Sequence, residues 1–261
     1  HFPYTTLFRS GFETPTMVEA AYSRDTNNNF VEKFNPNLQA SRSKHLELGT
    51  KWLATPSTRI DAAWFQIDTE NEIVSALASN GKTAYDNAAQ TKRDGFEFAI
   101  RNQHTTHWRT HASASFINAT YQAGSASYSP PNGNSLPAIP KRQMFASVQW
   151  SEKGFAPIGQ KSALGLEAGL DVVHRSSMWG NDANTTTSSD YALAPSYTLL
   201  NARVRQRYQV GSARIEAFVG IDNLTDKNTV GSVIINQFSK QYFEPGLPRS
   251  WVVGLQSQIP L

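Results

Sequence analysis

Residues 200–261 read LNARVRQRYQVGSARIEAFVGIDNLTDKNTVGSVIINQFSKQYFEPGLPRSWVVGLQSQIPL, and this stretch decides the fold class. Within 213–222 the even positions are mostly polar or small, and the odd positions are apolar: Ala213, Ile215, Ala217, Val219 and Ile221. Alternation with a period of two places these apolar residues on one face of a β-strand. The pattern is typical of a strand in a membrane barrel, which has lipid on one side and water on the other.

The same alternation recurs through the rest of the chain. It predicts an all-β fold, an antiparallel up-and-down transmembrane β-barrel that is partial and open, because a closed bacterial barrel uses an even number of strands and leaves no unpaired edge. The nine predicted strands are 46–54, 58–68, 94–101, 107–120, 141–150, 163–173, 198–209, 213–223 and 250–260.

The predicted connections alternate between short and long. The short ones are 55–57, 102–106 and 210–212, with a moderate one at 151–162. The long ones, rich in Asn, Ser, Thr, Gly and Pro, are 69–91, 121–138, 175–196 and 224–249. Outer-membrane barrels have short periplasmic turns and long extracellular loops, so this alternation predicts that all the long loops share one end.

Aromatic residues support the same topology. Trp52, Trp108, Trp150 and Tyr208 share the apolar parity and fall at the end with the short turns, whereas Trp251 falls at the other end. Aromatic rings of this kind form girdles at the membrane–water interfaces. A soluble β-sandwich with a core of aromatics is the alternative, but it does not explain why four of them lie at one end.

Composition excludes several other classes. No apolar run approaches the roughly 20 residues of a transmembrane helix, and the chain of 261 residues has no cysteine, which removes disulfides and thiolate metal sites. A net charge of +3 without a Lys/Arg block gives no reason to expect a nucleic-acid partner. No Ser-His-Asp spacing, nucleophile elbow or phosphate-binding Gly loop is present, so we predict neither an enzyme nor a resident cofactor.

The first ten residues stand apart from the rest. Residues 2–10, FPYTTLFRS, match the in-frame translation of a common short-read sequencing adapter. We therefore interpret 1–10 as adapter-derived and treat 11–261 as the natural sequence, although Tyr4 to Phe8 are also good β-formers. We expect the natural N-terminus to be missing.

Ordered motifs along residues 11–261 resemble those of TonB-dependent outer-membrane receptors, in the C-terminal part of the barrel. The motifs are Gly11 to Thr16 (GFETPT), Asn35-Pro36-Asn37-Leu38, Glu47-Leu48-Gly49, Asp86-Asn87-Ala88, Gly95-Phe96-Glu97, Asp222 to Lys227 (DNLTDK) and Tyr242-Phe243-Glu244-Pro245 with Arg249 and Trp251. The chain departs from the family at Ala40-Ser41, at Thr229 and at its last residue, Leu261, where an aromatic is usual.

The resemblance implies a barrel of 22 strands with an N-terminal plug, which is absent here, in the outer membrane of a Gram-negative bacterium. It implies uptake of a scarce ligand, a metal chelate such as a ferric siderophore, energised by the TonB complex through the missing N-terminal part. The other implied partners are outer-membrane lipid and, through the C-terminal strand, the barrel-assembly machinery. A passive porin or an adhesin-like barrel without energy coupling is the alternative.

Aromatic and Arg side chains on the long loops are the expected ligand contacts, because stacking and charge pairing suit aromatic or anionic chelates. The candidates are Tyr128, Arg175, Trp179, Tyr191, Tyr242 and Phe243; the alternative is that they pack only their own loops. The loop 180–190 is expected to be flexible and solvated.

Two other groups of polar residues are expected to have no part in binding the ligand: the first is structural, and the histidines are structural or solvated. The predicted interior polar lattice, in contact with the plug, is Glu167, Asp171, Arg203, Arg205, Arg207, Arg214 and Glu216. His107 and His111 share a face but lie about 13 Å apart at about 3.3 Å per residue, too far to bind one metal ion.

Overall fold

A computed structural model describes residues 4–125, 128–155 and 164–259. One short 3-10 helix covers Glu19–Ala21. The described strands are β1 (Tyr4–Glu13), β2 (Ser23–Arg24), β3 (Phe30–Val31), β4 (Ser41–Thr55), β5 (Thr58–Ser79), β6 (Lys82–Gln103), β7 (Trp108–Ala123), β8 (Arg142–Ser151), β9 (Gly165–Arg175), β10 (Met178–Trp179), β11 (Thr186–Thr187), β12 (Asp190–Tyr191), β13 (Leu193–Ala194), β14 (Tyr197–Val210), β15 (Ala213–Asp222), β16 (Val230–Val233), β17 (Phe243–Pro245) and β18 (Ser250–Gln258).

Ten of these strands form one antiparallel sheet in the order β1-β4-β5-β6-β7-β8-β9-β14-β15-β18. Strands that are neighbours in this order follow one another along the chain, which confirms the predicted up-and-down topology. Within the described residues β1 and β18 each pair on one side only, so the sheet is open. The other eight strands form small hairpins in the connections.

Nine of the ten sheet strands coincide with predicted strands, and β1 is the addition. It pairs with β4 in an unbroken register from Tyr4↔Thr50 to Glu13↔Ser41. No strand is predicted here from the sequence, because residues 2–10 match an adapter. The pairing shows that residues 4–13 complete a strand at the edge of the sheet; the origin of residues 1–10 stays a prediction.

The predicted long loop 69–91 is wrong. Residues 58–79 and 82–103 are continuous strands joined at Asn80-Gly81. The part of this hairpin nearest the turn extends past the neighbouring strand, since β4 pairs with β5 only as far as Glu70. Asn80 and Gly81 both have positive φ, 50° and 72°. Asn-Gly is a preferred pair for a two-residue hairpin turn, so the sequence does contain a hairpin signal within this polar stretch.

This turn gives a first testable prediction. Replacing Gly81 with alanine forces a side chain into the left-handed region, at a cost of about 1 kcal/mol. Nothing lies within 4 Å of the added methyl group, so the cost comes from the backbone alone. Hydrogen–deuterium exchange in the full-length protein is expected to be faster across residues 71–89. Asn80→Gly is the control and should change little; equal protection in wild type and Gly81→Ala would refute the argument.

The two faces of the sheet differ in polarity. One cross-strand row on the first face joins Leu48, Trp64, Phe96 and Phe116, all exposed. The register places the predicted girdle residues on this same face, with Trp52, Trp108, Trp150 and Tyr208 at the end with short turns and Trp251 at the other. A broad exposed apolar face is rare on a protein surrounded by water.

The opposite face is polar and concave. A cavity of about 890 Å³ lies on it and is lined by residues of β1 and of β4 to β9, among them Glu47, Asp61, Glu97 and Gln143. Seven neighbouring strands can line one cavity only if the sheet curves around it. The sheet therefore has a polar concave face and an apolar convex face.

The buried hydrophobic residues lie mainly at the end of the sheet with the long connections. One cluster comprises Ala88, Ala119, Tyr121 and Leu136, and a second comprises Met178, Ala194 and Val230. The hydrophobic core of the described residues thus supports the loops rather than the centre of the sheet. No helix in the described residues is both long and apolar enough to cross a membrane.

Candidate functional site

The candidate site is the group of segments at the end of the sheet with the long connections, hereafter the loop cluster. It comprises residues 14–40, 71–89, 124–125 with 128–141, 176–196 and 223–249. Segments far apart in the sequence are held together there by buried polar side chains.

Asn236 connects the segment 223–249 to the opposite part of the sheet. This segment joins β15 to β18, yet it forms hydrogen bonds with β5. Five strands lie between β5 and β15 in the sheet. The Asn236 amide nitrogen donates to the Ser75 carbonyl oxygen at 2.8 Å, and the Ala78 N–H donates to the Asn236 carbonyl oxygen at 3.1 Å. The segment therefore crosses the mouth of the concave face, a path of roughly 30 Å along the sheet at about 4.8 Å per strand spacing.

Asp182 is the central buried charge of the loop cluster. Tyr121 Oη donates to its Oδ1 at 2.6 Å, and Asn236 Nδ2 donates to its Oδ2 at 2.5 Å. The Asp182 N–H donates in return to Asn236 Oδ1 at 3.1 Å. Burial raises the pKa of the Asp182 carboxyl to about 6, and these two hydrogen bonds oppose the rise without cancelling it.

A second polar group lies beside the first, in the segment 180–190. Asn181 Nδ2 donates to Thr185 Oγ1 at 2.6 Å, and Tyr242 Oη donates to Asp190 Oδ1 at 2.8 Å. Burial raises the pKa of Tyr242 to about 12. Asn181 and Asp182 are both buried, so the expectation that 180–190 is solvated is wrong in its first part: these two side chains form hydrogen bonds with Tyr242, Tyr121 and Asn236.

Gly180 allows this close packing. A Cβ at Gly180 would lie 2.6 Å from Cβ of Tyr242 and 3.3 Å from Cε1 of Phe243. Its N–H donates to the Ala192 carbonyl oxygen, and its own carbonyl oxygen accepts from the Asn236 N–H. The absence of a side chain at Gly180 thus lets segments 176–196 and 223–249 approach to van der Waals contact.

The segment 14–40 is bound to the hairpin of β5 and β6. Arg24 Nε donates to Asp86 Oδ2 at 2.7 Å, and the guanidinium carbon of Arg24 lies 4.9 Å from the centre of the Tyr128 ring. Asn87 and Gln39 exchange two hydrogen bonds, at 2.7 and 2.9 Å. The middle and the C-terminal end of the segment are therefore fixed on one hairpin.

The six predicted ligand contacts occupy different environments. Tyr128 and Tyr242 are buried and bonded within the loop cluster, and Phe243 packs against the cluster of Met178, Ala194 and Val230. Trp179 is partly buried and paired with Leu193. Tyr191 is 56% exposed.

Arg175 lies apart from the other five candidates, at the end of β9 with its guanidinium over the ring of Tyr197. The structure thus brings together Trp179, Tyr191, Tyr242 and Phe243, while Tyr128 joins them through Asn236. Their contact with a ligand stays a prediction.

Part of the predicted polar lattice is present on the concave face. Arg207 of β14 lies between Glu167 of β9 and Glu216 of β15: its Nη1 is 2.6 Å from Glu167, and its Nε donates to Glu216. Arg205 lies 3.8 Å from Glu167. Four of the seven predicted residues therefore form one ion-pair cluster, whereas Arg203 pairs with Asp222.

The histidines are positioned as structural residues. His107 Nδ1 lies 2.8 Å from the Ser151 carbonyl oxygen, and the His111 ring packs edge-on against Phe145. Within the part of the chain that the structure describes, no group of three or more His, Asp or Glu side chains could hold a metal ion.

Four residues of the site are not predicted from the sequence: Asp182, Asn236, Asn181 and Tyr121. Positive φ at Asn236 marks it as a residue with special backbone geometry, but its sequence neighbours carry no distinctive pattern. Asp182 lies in a polar stretch, which ordinarily indicates a solvated loop. Only the fold reveals that these residues meet.

Comparison with known proteins places the chain in a family. The family model described as "TonB dependent receptor-like, beta-barrel" matches residues 4–224. A protein of Acinetobacter baumannii named "Probable TonB-dependent siderophore receptor PiuA" is 25% identical over 210 residues, which cover 77% of this chain and 25% of that protein.

Solved structures of similar fold include two bacterial receptors. The ferric preacinetobactin receptor BauA of Acinetobacter baumannii has a TM-score of 0.67 at 18% identity, covering 98% of this chain and 34% of that one. The ferric yersiniabactin uptake receptor FyuA of Yersinia pestis has a TM-score of 0.66 at 16% identity, covering 99% and 35%. At these identities the likeness shows the fold alone, and the chain spans about a third of each structure and a quarter of the curated relative.

Proposed function

Because the chain belongs to the TonB-dependent receptor-like β-barrel family, we propose that it forms part of the wall and part of the ligand-facing loops of an outer-membrane uptake receptor. The match to the family over residues 4–224 carries this proposal. The curved sheet, with a polar concave face and a cluster of ordered loops over its mouth, is consistent with a wall that encloses a polar interior.

The proposed location is the outer membrane of a Gram-negative bacterium. In this arrangement the exposed apolar rows of the convex face contact lipid, because removing them from water is favourable. Trp108 pairs directly with Trp150 at the end with short turns, where such rings would lie at headgroup level. The loop cluster then faces the cell exterior.

The match covers a quarter of the length of the curated relative. We propose that residues 11–261 are the C-terminal part of a barrel of 22 strands, that a plug precedes it, and that TonB acts through that N-terminal part. Recognition of the last strand by the barrel-assembly machinery belongs to the same proposal; Leu261 falls outside the described residues.

The proposed ligand is a ferric siderophore or a related metal chelate. Support comes from the curated relative, which is named as a siderophore receptor. Tyr191, which is exposed, and Trp179, Arg175 and Phe243, which are partly buried, are proposed to line the ligand side. Tyr128 and Tyr242 are buried under the loops and are proposed to act by holding them in place.

Complementation of iron uptake tests this proposal. The full-length gene that contains this chain is expressed in a Gram-negative strain that lacks its own siderophore receptors, and growth is measured under iron limitation with a panel of ferric chelates. Growth on at least one chelate, lost when tonB is deleted, is the expected result. Growth that persists without TonB would favour the passive porin, and no growth on any chelate would contradict iron uptake.

A further inference from the structure

The loop cluster contains two Asn-Gly pairs, Asn80-Gly81 and Asn132-Gly133. Asparagine is one of the chemically labile residues, and a glycine after it leaves the intervening peptide free to rotate, because no Cβ hinders the chain. All four residues are exposed. Both glycines have positive φ, 72° and 84°, and no neighbouring atom lies within 4 Å of a Cβ placed on either of them. The two pairs are therefore matched in sequence, in exposure and in steric freedom.

The two pairs differ in the hydrogen bonding of the glycine nitrogen. The Gly133 N–H donates to the Tyr121 carbonyl oxygen at 2.8 Å, so this nitrogen is held against β7. Gly81 lies in the turn between β5 and β6, and among the described residues neither its N–H nor the Asn80 side chain has a hydrogen-bond partner. Exposed turns of this kind also open locally at the lowest free-energy cost. The Gly81 nitrogen is therefore the more available of the two for reaction.

We propose that Asn80 is a site of spontaneous deamidation. The Gly81 backbone nitrogen attacks Cγ of Asn80 and forms a new C–N bond, and its proton passes through solvent to the side-chain amide, which leaves as ammonia. The product is a five-membered succinimide ring that joins the two residues. Water then opens the ring at one of its two carbonyl carbons, which gives aspartate or, where the chain now continues through the side chain, isoaspartate. Nothing is oxidised or reduced, and water is the only co-reactant.

Isoaspartate at this position changes the hairpin, because its backbone is longer by a methylene group. A two-residue turn joins its strands only with a defined backbone geometry, so the extra atom displaces the two strand ends. Ala78 lies close to the turn and exchanges hydrogen bonds with the crossing segment: its N–H donates to the Asn236 carbonyl oxygen, and its carbonyl oxygen accepts from the Phe238 N–H. Formation of isoaspartate is therefore expected to loosen the contact between the hairpin and the segment 223–249, whereas aspartate keeps the ordinary backbone.

Incubation of the folded full-length protein in mildly alkaline buffer tests the reaction, with Asn132 as the matched internal control. Peptide mass spectrometry follows the replacement of amide by carboxyl at both pairs, and enzymatic methylation identifies isoaspartate. Deamidation is expected to be about fivefold faster at Asn80 than at Asn132, the factor that corresponds to about 1 kcal/mol for one backbone hydrogen bond. In urea-unfolded protein, where that hydrogen bond is lost, the two rates should be similar. Equal rates in the folded protein, no product at Asn80, or the same difference after unfolding would overturn the proposal.

Hydrogen–deuterium exchange tests the coupling to the crossing segment. Wild-type protein aged until isoaspartate has accumulated should exchange faster across residues 234–238 than fresh protein. Asn80→Ser cannot form the ring, so its aged and fresh samples should exchange alike, and fresh Asn80→Asp, which carries the new charge on an ordinary backbone, should stay protected. Unchanged exchange in aged wild type, or equal loss of protection in fresh Asn80→Asp, would overturn the coupling. Neither the reaction nor the coupling depends on the proposed uptake function.

Discussion

Replacing Arg207 with methionine is expected to destabilise the full-length protein by about 3–5 kcal/mol, because the change leaves two carboxylates without their shared cation. The Arg207 side chain is 7% exposed, and those of Glu167 and Glu216 are 12% and 23% exposed. Equilibrium urea unfolding of the detergent-refolded protein, followed by tryptophan fluorescence, measures the loss.

Two controls separate charge burial from loss of packing. Arg203→Met removes an equivalent side chain from the same strand, but Arg203 and Asp222 are about half exposed, so a loss of less than about 1 kcal/mol is expected. The triple variant Arg207→Met, Glu167→Gln, Glu216→Gln removes the uncompensated charges and should recover much of the stability. Equal losses in the Arg207 and Arg203 variants would contradict the argument.

Replacing Asp182 with alanine is expected to loosen the loop cluster by about 1–3 kcal/mol, since the Tyr121 hydroxyl would be left buried without its acceptor. Tyr121 is 1% exposed, so water does not replace the carboxylate readily. Hydrogen–deuterium exchange should accelerate near residues 180–184 and 234–238, while the sheet away from the loops stays protected. Tyr121→Phe with Asp182→Ala removes both partners and should be less damaging than Asp182→Ala alone.

The same carboxyl makes the loop cluster sensitive to pH. Its pKa rises from an ordinary value of 3.8 to about 6 in the folded cluster. Between these pH values the folded state binds more protons than the opened state, so stability falls as pH rises. At about 1.4 kcal/mol per pH unit, the whole change is roughly 3 kcal/mol.

Local opening free energies from hydrogen exchange between pH 4 and pH 8 measure this dependence. The groups that face Asp182 are Tyr121 from β7, the Asn236 amide from segment 223–249 and, at longer range, Arg24 from segment 14–40, whose charge opposes the rise in pKa. Asp182→Asn cannot titrate and should remove the dependence. A loop cluster whose stability increases as pH rises would show that the predicted direction of the pH dependence is wrong.

The regular part of the fold followed from local pattern. Alternating residues such as those in 213–222 specify both a strand and its two faces, because successive side chains point in opposite directions. The cross-strand row of Leu48, Trp64, Phe96 and Phe116 confirms that the faces assigned separately to each strand match across the sheet. The short connections 55–57, 102–106 and 210–212 each join two neighbouring strands of the sheet, as expected.

Pattern failed where both faces of a strand are covered. In the hairpin of residues 71–89, neighbouring residues that point to opposite faces are buried, such as Ala76, Leu77 and Ala78, so its sequence lacks the alternation of a wall strand. The Asn80-Gly81 pair is the remaining local signal of the hairpin, whereas the Asn, Ser and Thr residues around it favour a loop.

The sequence by itself determined the class of fold, the polarity of each face and the end at which the long connections gather. Only the tertiary structure decided which loop residues meet. Asp182 is 54 residues from Asn236 and 61 residues from Tyr121 in the sequence. Their contacts depend on the segment 223–249, which crosses the mouth of the concave face to reach β5. Strand alternation is a local consequence of backbone geometry, whereas such contacts depend on how the curved sheet brings distant segments together.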